Sequence, residues 1–226
     1  MLNQPLYPIS IIGDSSTGKT SLIIQFTSSK FDEKMSATIG IDYFMEEVTC
    51  KDGNTYKIKI MDTAGQEQYH SMTLNMLKIC KGILLVYSIT DKDSFNNLES
   101  KWIDEINDHV DVNNIPIVLI GNKKDLEDER VIEEQSAREF ANKFNLKFFE
   151  TSSKTGENVD LAFKELINEV VKSNNNIKKD EIKNENNNEN NNENKNQNIN
   201  NNINQTYKLN LDNHKNNKKP KKKCCL

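Results

Sequence analysis

The octapeptide Gly13-Asp14-Ser15-Ser16-Thr17-Gly18-Lys19-Thr20 fits the pattern G-x-x-x-x-G-K-[ST] without a mismatch. No other stretch constrains the fold as tightly. A backbone that wraps a diphosphate must turn its N–H groups inward, and a side chain at the tightest points would collide with the oxygens, so glycine is needed there. Lys19 offers an ammonium to the β- and γ-phosphates. The Thr20 hydroxyl is placed to ligate Mg²⁺, and both residues open a helix whose N-terminus favours anions. The simpler reading of the same residues is a glycine turn between a strand and a helix. The later segments of the chain decide between the two.

Composition sets the boundaries of the globule. From residue 174 to the end there are 53 residues, 21 of them Asn, with no Trp or Phe. Such a segment buries too little apolar surface to offset chain entropy. It also carries 11 Lys against 6 acidic residues, whereas residues 1–173 carry 19 basic against 28 acidic. The acidic body argues against non-specific nucleic-acid binding, while the late lysines suit an anionic surface. Three parts are expected: a globular domain at 1–173, an Asn-rich disordered tether at 174–217, and a polybasic double-cysteine tail at 218–226. Cys50 and Cys80 lie in apolar segments and Cys224 and Cys225 are adjacent, which is no disulfide framework and points to a reducing compartment. The first residues lack the apolar core of a secretory signal, and no run approaches the roughly 20 apolar residues of a membrane span.

Along the chain the segments alternate between strand and helix. Leu6 to Ile12 is a buried strand entering the loop, with Pro8 expected to delay pairing until Ile9. A helix follows the loop, carrying Leu22, Ile23 and Phe26. Ile41–Cys50 and Tyr56–Met61 form a hairpin around Lys51-Asp52-Gly53-Asn54. A weak helix at 68–80 precedes the apolar strand Gly82–Tyr87. Ser94–Val110 is an amphipathic helix whose Trp102, the sole Trp, is assigned to core packing. Ile115–Ile120 is a buried strand, Glu133–Phe144 a helix and Lys147–Glu150 a short strand. Val159, Phe163, Leu166 and Val170 mark the last helix. The fold class is α/β of the P-loop NTPase type: a mostly parallel six-stranded sheet with one antiparallel hairpin, helices on both faces, and ligand loops at the strand carboxyl ends.

Three further motifs each follow an expected strand: Asp62-Thr63-Ala64-Gly65-Gln66-Glu67, Asn122-Lys123-Lys124-Asp125 and Thr151-Ser152-Ser153-Lys154. The Asp125 carboxylate can accept from both N1–H and N2–H₂ of guanine, a donor pair adenine lacks. With all four motifs in order, residues 6–172 resemble a Ras-superfamily GTPase. The resemblance implies a GTP/GDP site with Mg²⁺, contacted by Gly13 through Ser21, with Asp62 reaching the metal through a water. It further implies a second metal hydroxyl from Thr38, a γ-phosphate contact from the Gly65 N–H, and water orientation by Gln66. Asn122 would tie the loops together and the Lys123 stem would cover the base. The Ser153 N–H would meet guanine O6, flanked by Ser152 and Lys154. Phe31 matches the aromatic residue packed on the guanine, with a core aromatic at a helix end as its rival. Neither Arg130 nor Arg138 is placed as an internal arginine finger, so slow turnover without an activating protein is expected.

Within the superfamily the likeness is to the Rab branch, carried by Ile39-Gly40-Ile41-Asp42, Lys57-Ile58-Lys59-Ile60, Ser71-Met72-Thr73 and Gly82 to Thr90. Cys224-Cys225-Leu226 resembles a double-cysteine ending that takes two geranylgeranyl groups. The resemblance implies an exchange factor, a GTPase-activating protein, an escort protein, a dissociation inhibitor and effectors. It places the protein at the cytoplasmic face of a membrane with a soluble cytosolic pool, acting in vesicle traffic. Met61 stands where the Rab pattern has Trp, and Met76-Leu77 replaces an aromatic pair, which predicts a sulfur-rich effector surface beside Tyr43. Ser16 replaces a small residue, usually Gly, and Thr17 a usual Val. Two rivals remain at this point: a nucleotide-locked adaptor with little hydrolysis, and a P-loop kinase, which Asn122–Asp125 disfavours.

Overall fold

A computed structural model of the chain describes residues 5–32, 38, 40–63, 70–110 and 115–175. The chain divides into two compact units, Met1–Asn174 and Asn175–Leu226, and of the second only Asn175 is described. Six strands form one sheet: β1 (Leu6–Ile12), β2 (Ile41–Thr49), β3 (Thr55–Thr63), β4 (Gly82–Ser88), β5 (Ile117–Asn122) and β6 (Lys147–Glu150). Their order is β2-β3-β1-β4-β5-β6, with β2 and β3 antiparallel and the other neighbours parallel. The order reverses beside β1, between β3 and β4. Loops after β1 and its neighbours therefore open into one crevice at the carboxyl edge, where open α/β sheets bind ligands.

Strand periodicity builds two cores from one sequence. Side chains alternate between faces with period two, so Ile9 and Ile11 of β1, Leu84 and Val86 of β4, and Val118 and Ile120 of β5 fall on one side. There they meet Leu22 and Ile23 of α1 (Lys19–Ser28), together with Val159, Phe163, Leu166 and Val170 of α6, the last helix among the described residues, at 159–175. Phe26 stacks on Phe163 at 4.3 Å between centroids, fastening α1 to α6. Such pairs add about 0.5–1.5 kcal/mol beyond area burial.

The intervening positions Ile12, Ile83, Leu85, Tyr87 and Leu119 face the opposite side. They pack on α2 (His70–Leu77), α3 (Lys92–Asn97), α4 (Asp104–His109) and α5 (Glu134–Lys143) through Leu77, Phe95, Ile106, Ala137 and Phe140. Full burial of one such aliphatic chain stabilises the fold by about 1.5–3 kcal/mol.

Three local features depart from the expectations raised by the sequence. Pro8 does not delay the strand on both sides. The β1–β3 ladder already begins at Leu6 opposite Lys57, while the β1–β4 ladder begins at Ile9 opposite Gly82. Amide and carbonyl of one strand residue point to the same side, and the Pro8 carbonyl accepts from the Lys81 N–H at 2.7 Å. Its missing N–H therefore faces β4 just before that ladder starts, where no donor is needed. The helix expected at Ser94–Val110 is not uniform: a π-helical stretch, Leu98–Ile103, separates α3 from α4. Met61 is fully buried in the second core, so it contributes no sulfur to the surface.

Candidate functional site

Gly13 follows β1 with φ at 141°, and a Cβ there would come within 2.1 Å of the Val86 carbonyl oxygen. Gly18 has φ at 90°, and its Cβ would come within 2.3 Å of Asn122 Nδ2. Both glycines are imposed by backbone shape and close approach together. Ser16 adopts φ at 61° with its side chain exposed, a left-handed conformation that a non-glycine residue adopts at a cost. Thr17 is buried and donates its hydroxyl to the Asp14 carbonyl at 2.9 Å, bracing the loop from within.

Lys19 curls back over the loop it follows. Its Nζ donates to the carbonyls of Gly13 at 2.9 Å and Asp14 at 2.7 Å, using two of the three donors an ammonium carries. Burial pushes its pKa down to about 8, opposed by the charges of Asp62 and Asp14. A buried ammonium beside loop amides is an incomplete ion pair, and phosphate oxygens would complete it. No side chain caps α1, whose preceding residue is Gly18, so its first N–H groups remain for the same ligand.

The oxygens expected to face a cation converge. Thr20 Oγ1 donates to Asp62 Oδ2 at 2.5 Å and lies 2.7 Å from Thr38 Oγ1, which is 3.4 Å from the same carboxylate oxygen. Asp62 Oδ1 is buried and has no partner among the described residues. Burial raises the Asp62 pKa, with the Thr20 hydrogen bond and the Lys19 charge working against that shift. One carboxylate and two hydroxyls suit Mg²⁺, which takes few protein oxygens and fills its shell with phosphate and water. The residues fit the ion. Among the described residues no cluster of three His, Cys, Asp or Glu side chains offers a metal cage of the all-protein kind.

Asn122, the last residue of β5, is fully buried and joins three loops. Its Nδ2 donates to the Thr17 carbonyl at 2.9 Å, and its Oδ1 accepts from Thr151 Oγ1 and the Ser153 N–H, both at 3.2 Å. The Ser153 N–H expected to meet guanine O6 is thus engaged by Asn122, and a base oxygen would share that donor. Lys123 adopts φ at 69°, which turns the chain sharply after the strand. Asp125 accepts from Ser152 Oγ at 2.6 Å, which ties the loop after β5 to the loop after β6. Phe31 is 38% exposed, so it is no core aromatic. Lys154 is exposed, and Ser15 and Ser21 belong to the loop and to α1.

Some expectations fall elsewhere. Gly65, Gln66, Cys224 and Cys225 lie outside the described residues. Met45 and Met72 are exposed, while the largely buried Met76 approaches the Tyr43 hydroxyl at 3.9 Å.

Two residues of the site gave no sign of their role in the sequence. Asn97 Nδ2 donates to Asp14 Oδ2 at 2.6 Å and Trp102 Nε1 to Asp14 Oδ1 at 2.8 Å. Trp102 is buried as expected, but an indole N–H taken from water needs an acceptor. That requirement was the available signal, and it named no partner.

The strand order, the glycine-bounded loop and the oxygens around Asp62 together define a nucleotide-binding protein of the P-loop class. A sequence model of the Ras family matches residues 9–172. GTP-binding protein ypt1 of Schizosaccharomyces pombe is 40% identical over 158 residues, spanning 70% of this chain and 76% of that protein. Ras-related protein Rab-18-B of Danio rerio is 38% identical over 165 residues, 73% of this chain and 79% of the relative. Ras-related protein RABD2a of Arabidopsis thaliana is 39% identical over 158 residues, at 70% and 76%. The chain belongs to the Ras family, in its Rab branch.

Proposed function

We propose that this chain is a membrane-directed molecular switch that binds GTP and GDP, hydrolyses GTP slowly by itself, and recruits effectors in vesicle traffic. The observation that carries the reading is the meeting of Thr38 with Thr20 and Asp62. A loop residue 18 positions beyond the phosphate loop is held by the same oxygens that would face the metal. A conformation that depends on such contacts is released when the γ-phosphate leaves.

The chain's own residues divide the work. Lys19 and the amides opening α1 hold the β- and γ-phosphates. Asp125 selects guanine, the Lys123 stem and Phe31 cover the base, and Asn122 fixes the spacing between base and phosphate loops. Thr20, Thr38 and Asp62 would hold Mg²⁺, which would supply positive charge against the phosphates. Gln66 orients the attacking water, as the corresponding Gln does in Ras. With no arginine finger of its own, the chain depends on an activating protein for roughly 10³- to 10⁵-fold acceleration.

Among the described residues no helix is long and apolar enough to cross a membrane. Anchoring is assigned to geranylgeranyl groups on Cys224 and Cys225, since two chains hold where one is marginal. Lys218, Lys219, Lys221, Lys222 and Lys223 add attraction to anionic lipid. The tract 174–217 acts as a tether between globule and anchor. An exchange factor, an escort protein and a dissociation inhibitor complete the cycle.

Single-turnover hydrolysis of Mg²⁺·GTP by the full chain, beside Gln66→Leu, tests the reading. Slow hydrolysis that falls further in the variant supports the switch. Tight GTP binding with no hydrolysis identifies an adaptor, and ATP competing equally with GTP overturns guanine selection at Asp125.

A further inference from the structure

The phosphate loop is gripped from outside by a helix that makes no part of the nucleotide motifs. Both oxygens of the Asp14 carboxylate are taken by donors from one segment: Oδ2 by Asn97 Nδ2 at 2.6 Å and Oδ1 by Trp102 Nε1 at 2.8 Å. The main-chain oxygen of the same residue accepts from Lys19 Nζ at 2.7 Å and Thr17 Oγ1 at 2.9 Å. Asp14 therefore stands between the Lys19 ammonium on its backbone side and the helix on its side-chain side.

The helix is shaped for this grip. Residues five apart on an α-helix lie about 140° from one another around its axis, at 3.6 residues per turn. Asn97 and Trp102 are five apart, and side chains so separated would not share one carboxylate. The π-helical stretch Leu98–Ile103 begins directly after Asn97 and contains Trp102. Its wider turn, closed by i→i+5 bonds, brings positions five apart toward one face. Asn97 and Trp102 can then close on Asp14 together. Lys101, in the same turn, lies over the Trp102 ring at 4.6 Å.

We propose that Asp14, held by Asn97 and Trp102, is a positioning residue that sets the carbonyl against which Lys19 is aimed at the phosphates, and that Trp102 senses the occupancy of the loop. The proposal rests on the reading of this loop as a guanine-nucleotide site. Loss of the clamp lets the Asp14 carbonyl and the Lys19 ammonium drift, and GDP leaves sooner. Trp102 is the only Trp of the chain, so its emission comes from this one site, and the Asp14 variant isolates the part due to the bond.

The full chain is loaded with tritiated GDP, and release is followed in wild type, Asp14→Ala and Asn97→Ala. Trp102 emission is recorded before and after EDTA strips the nucleotide, and thermal unfolding checks the fold. Release about 10- to 100-fold faster is expected in Asp14→Ala, and a smaller acceleration in Asn97→Ala. The emission change on stripping is expected in wild type and absent in Asp14→Ala. Asn97→Ala removes one donor from a half-exposed helix end, and it carries the test if Asp14→Ala does not fold. Release within twofold of wild type in the folded variants overturns the clamp alone. Faster release with a wild-type emission change in Asp14→Ala overturns the sensing role of Trp102. A wild-type chain that retains no GDP overturns the nucleotide-switch reading, and the clamp with it.

Discussion

Asn122 Nδ2 and the main-chain oxygen of Thr17 are 2.9 Å apart, a bond between residues 105 positions distant that joins the end of β5, which carries the proposed base-selecting residues, to the loop proposed to hold the phosphates. The side chain is buried and also accepts from Thr151 and Ser153. Replacing it removes several hydrogen bonds and leaves their partners unpaired, at about 1–3 kcal/mol for each buried orphan. Asn122→Ala is expected to speed GDP release at least about 30-fold and to lower Tm, as followed by labelled-nucleotide exchange and calorimetry.

Asp62 supplies the only carboxylate of the Thr20–Thr38–Asp62 cluster. Asp62→Asn keeps the shape but removes the charge a divalent ion needs. The magnesium concentration that half-protects bound GDP from release is expected to rise about 100-fold, a cost in the range of charged hydrogen bonds. Titrating release against free Mg²⁺ measures it. An unchanged midpoint would remove Asp62 from the metal site.

Arg130 bonds both oxygens of Glu150 at 2.7 and 2.9 Å, and Glu150 is only 6% exposed at the end of β6, immediately before Thr151. Hydrogen bonds to Glu150 first, then to Glu127, hold the Arg130 pKa above its ordinary value. Arg130→Ala strands the Glu150 charge in the interior, and such losses cost about 3–5 kcal/mol. Denaturant unfolding is expected to show that loss, with Arg130→Lys recovering only part because an ammonium lacks the planar fork.

Cys80 is buried after α2, and burial pushes its thiol pKa from 9.0 up to about 12. The folded-state value exceeds the unfolded one, so the folded chain keeps a proton that the unfolded chain has lost. The associated stability is present in full below pH 9 and is lost as pH rises toward 12. Below pH 9 the folded thiolate fraction is about a thousandfold smaller than that of an unshifted thiol. Peptide mapping after iodoacetamide treatment at pH 8 is expected to find Cys80 unlabelled until denaturant is added.

Local features were legible in the amino-acid sequence by itself. A strand followed by a glycine-bounded loop, an Asp near the end of β3, an Asn-Lys-x-Asp at the end of β5 and a Ser-rich turn after β6 are contiguous words. Each sits at a strand carboxyl end because a parallel sheet brings those ends to one edge. Apolar period two and period 3.6 separated strands from helices for the same reason: each is a property of neighbouring residues.

The tertiary structure decided what depends on the third dimension. Pro8 is tolerated inside the sheet because the β4 ladder starts one residue later, a fact of register between strands some 70 residues apart. Met61 turned inward because β3 is flanked on both sides and alternation gave that position to the second core. Trp102 was legible as a core residue, but its acceptor lies 88 residues away on the phosphate loop. Hydrophobic burial selects a residue type, and types are written in the sequence; a hydrogen bond selects a particular partner at about 3 Å, and only the packed chain supplies one.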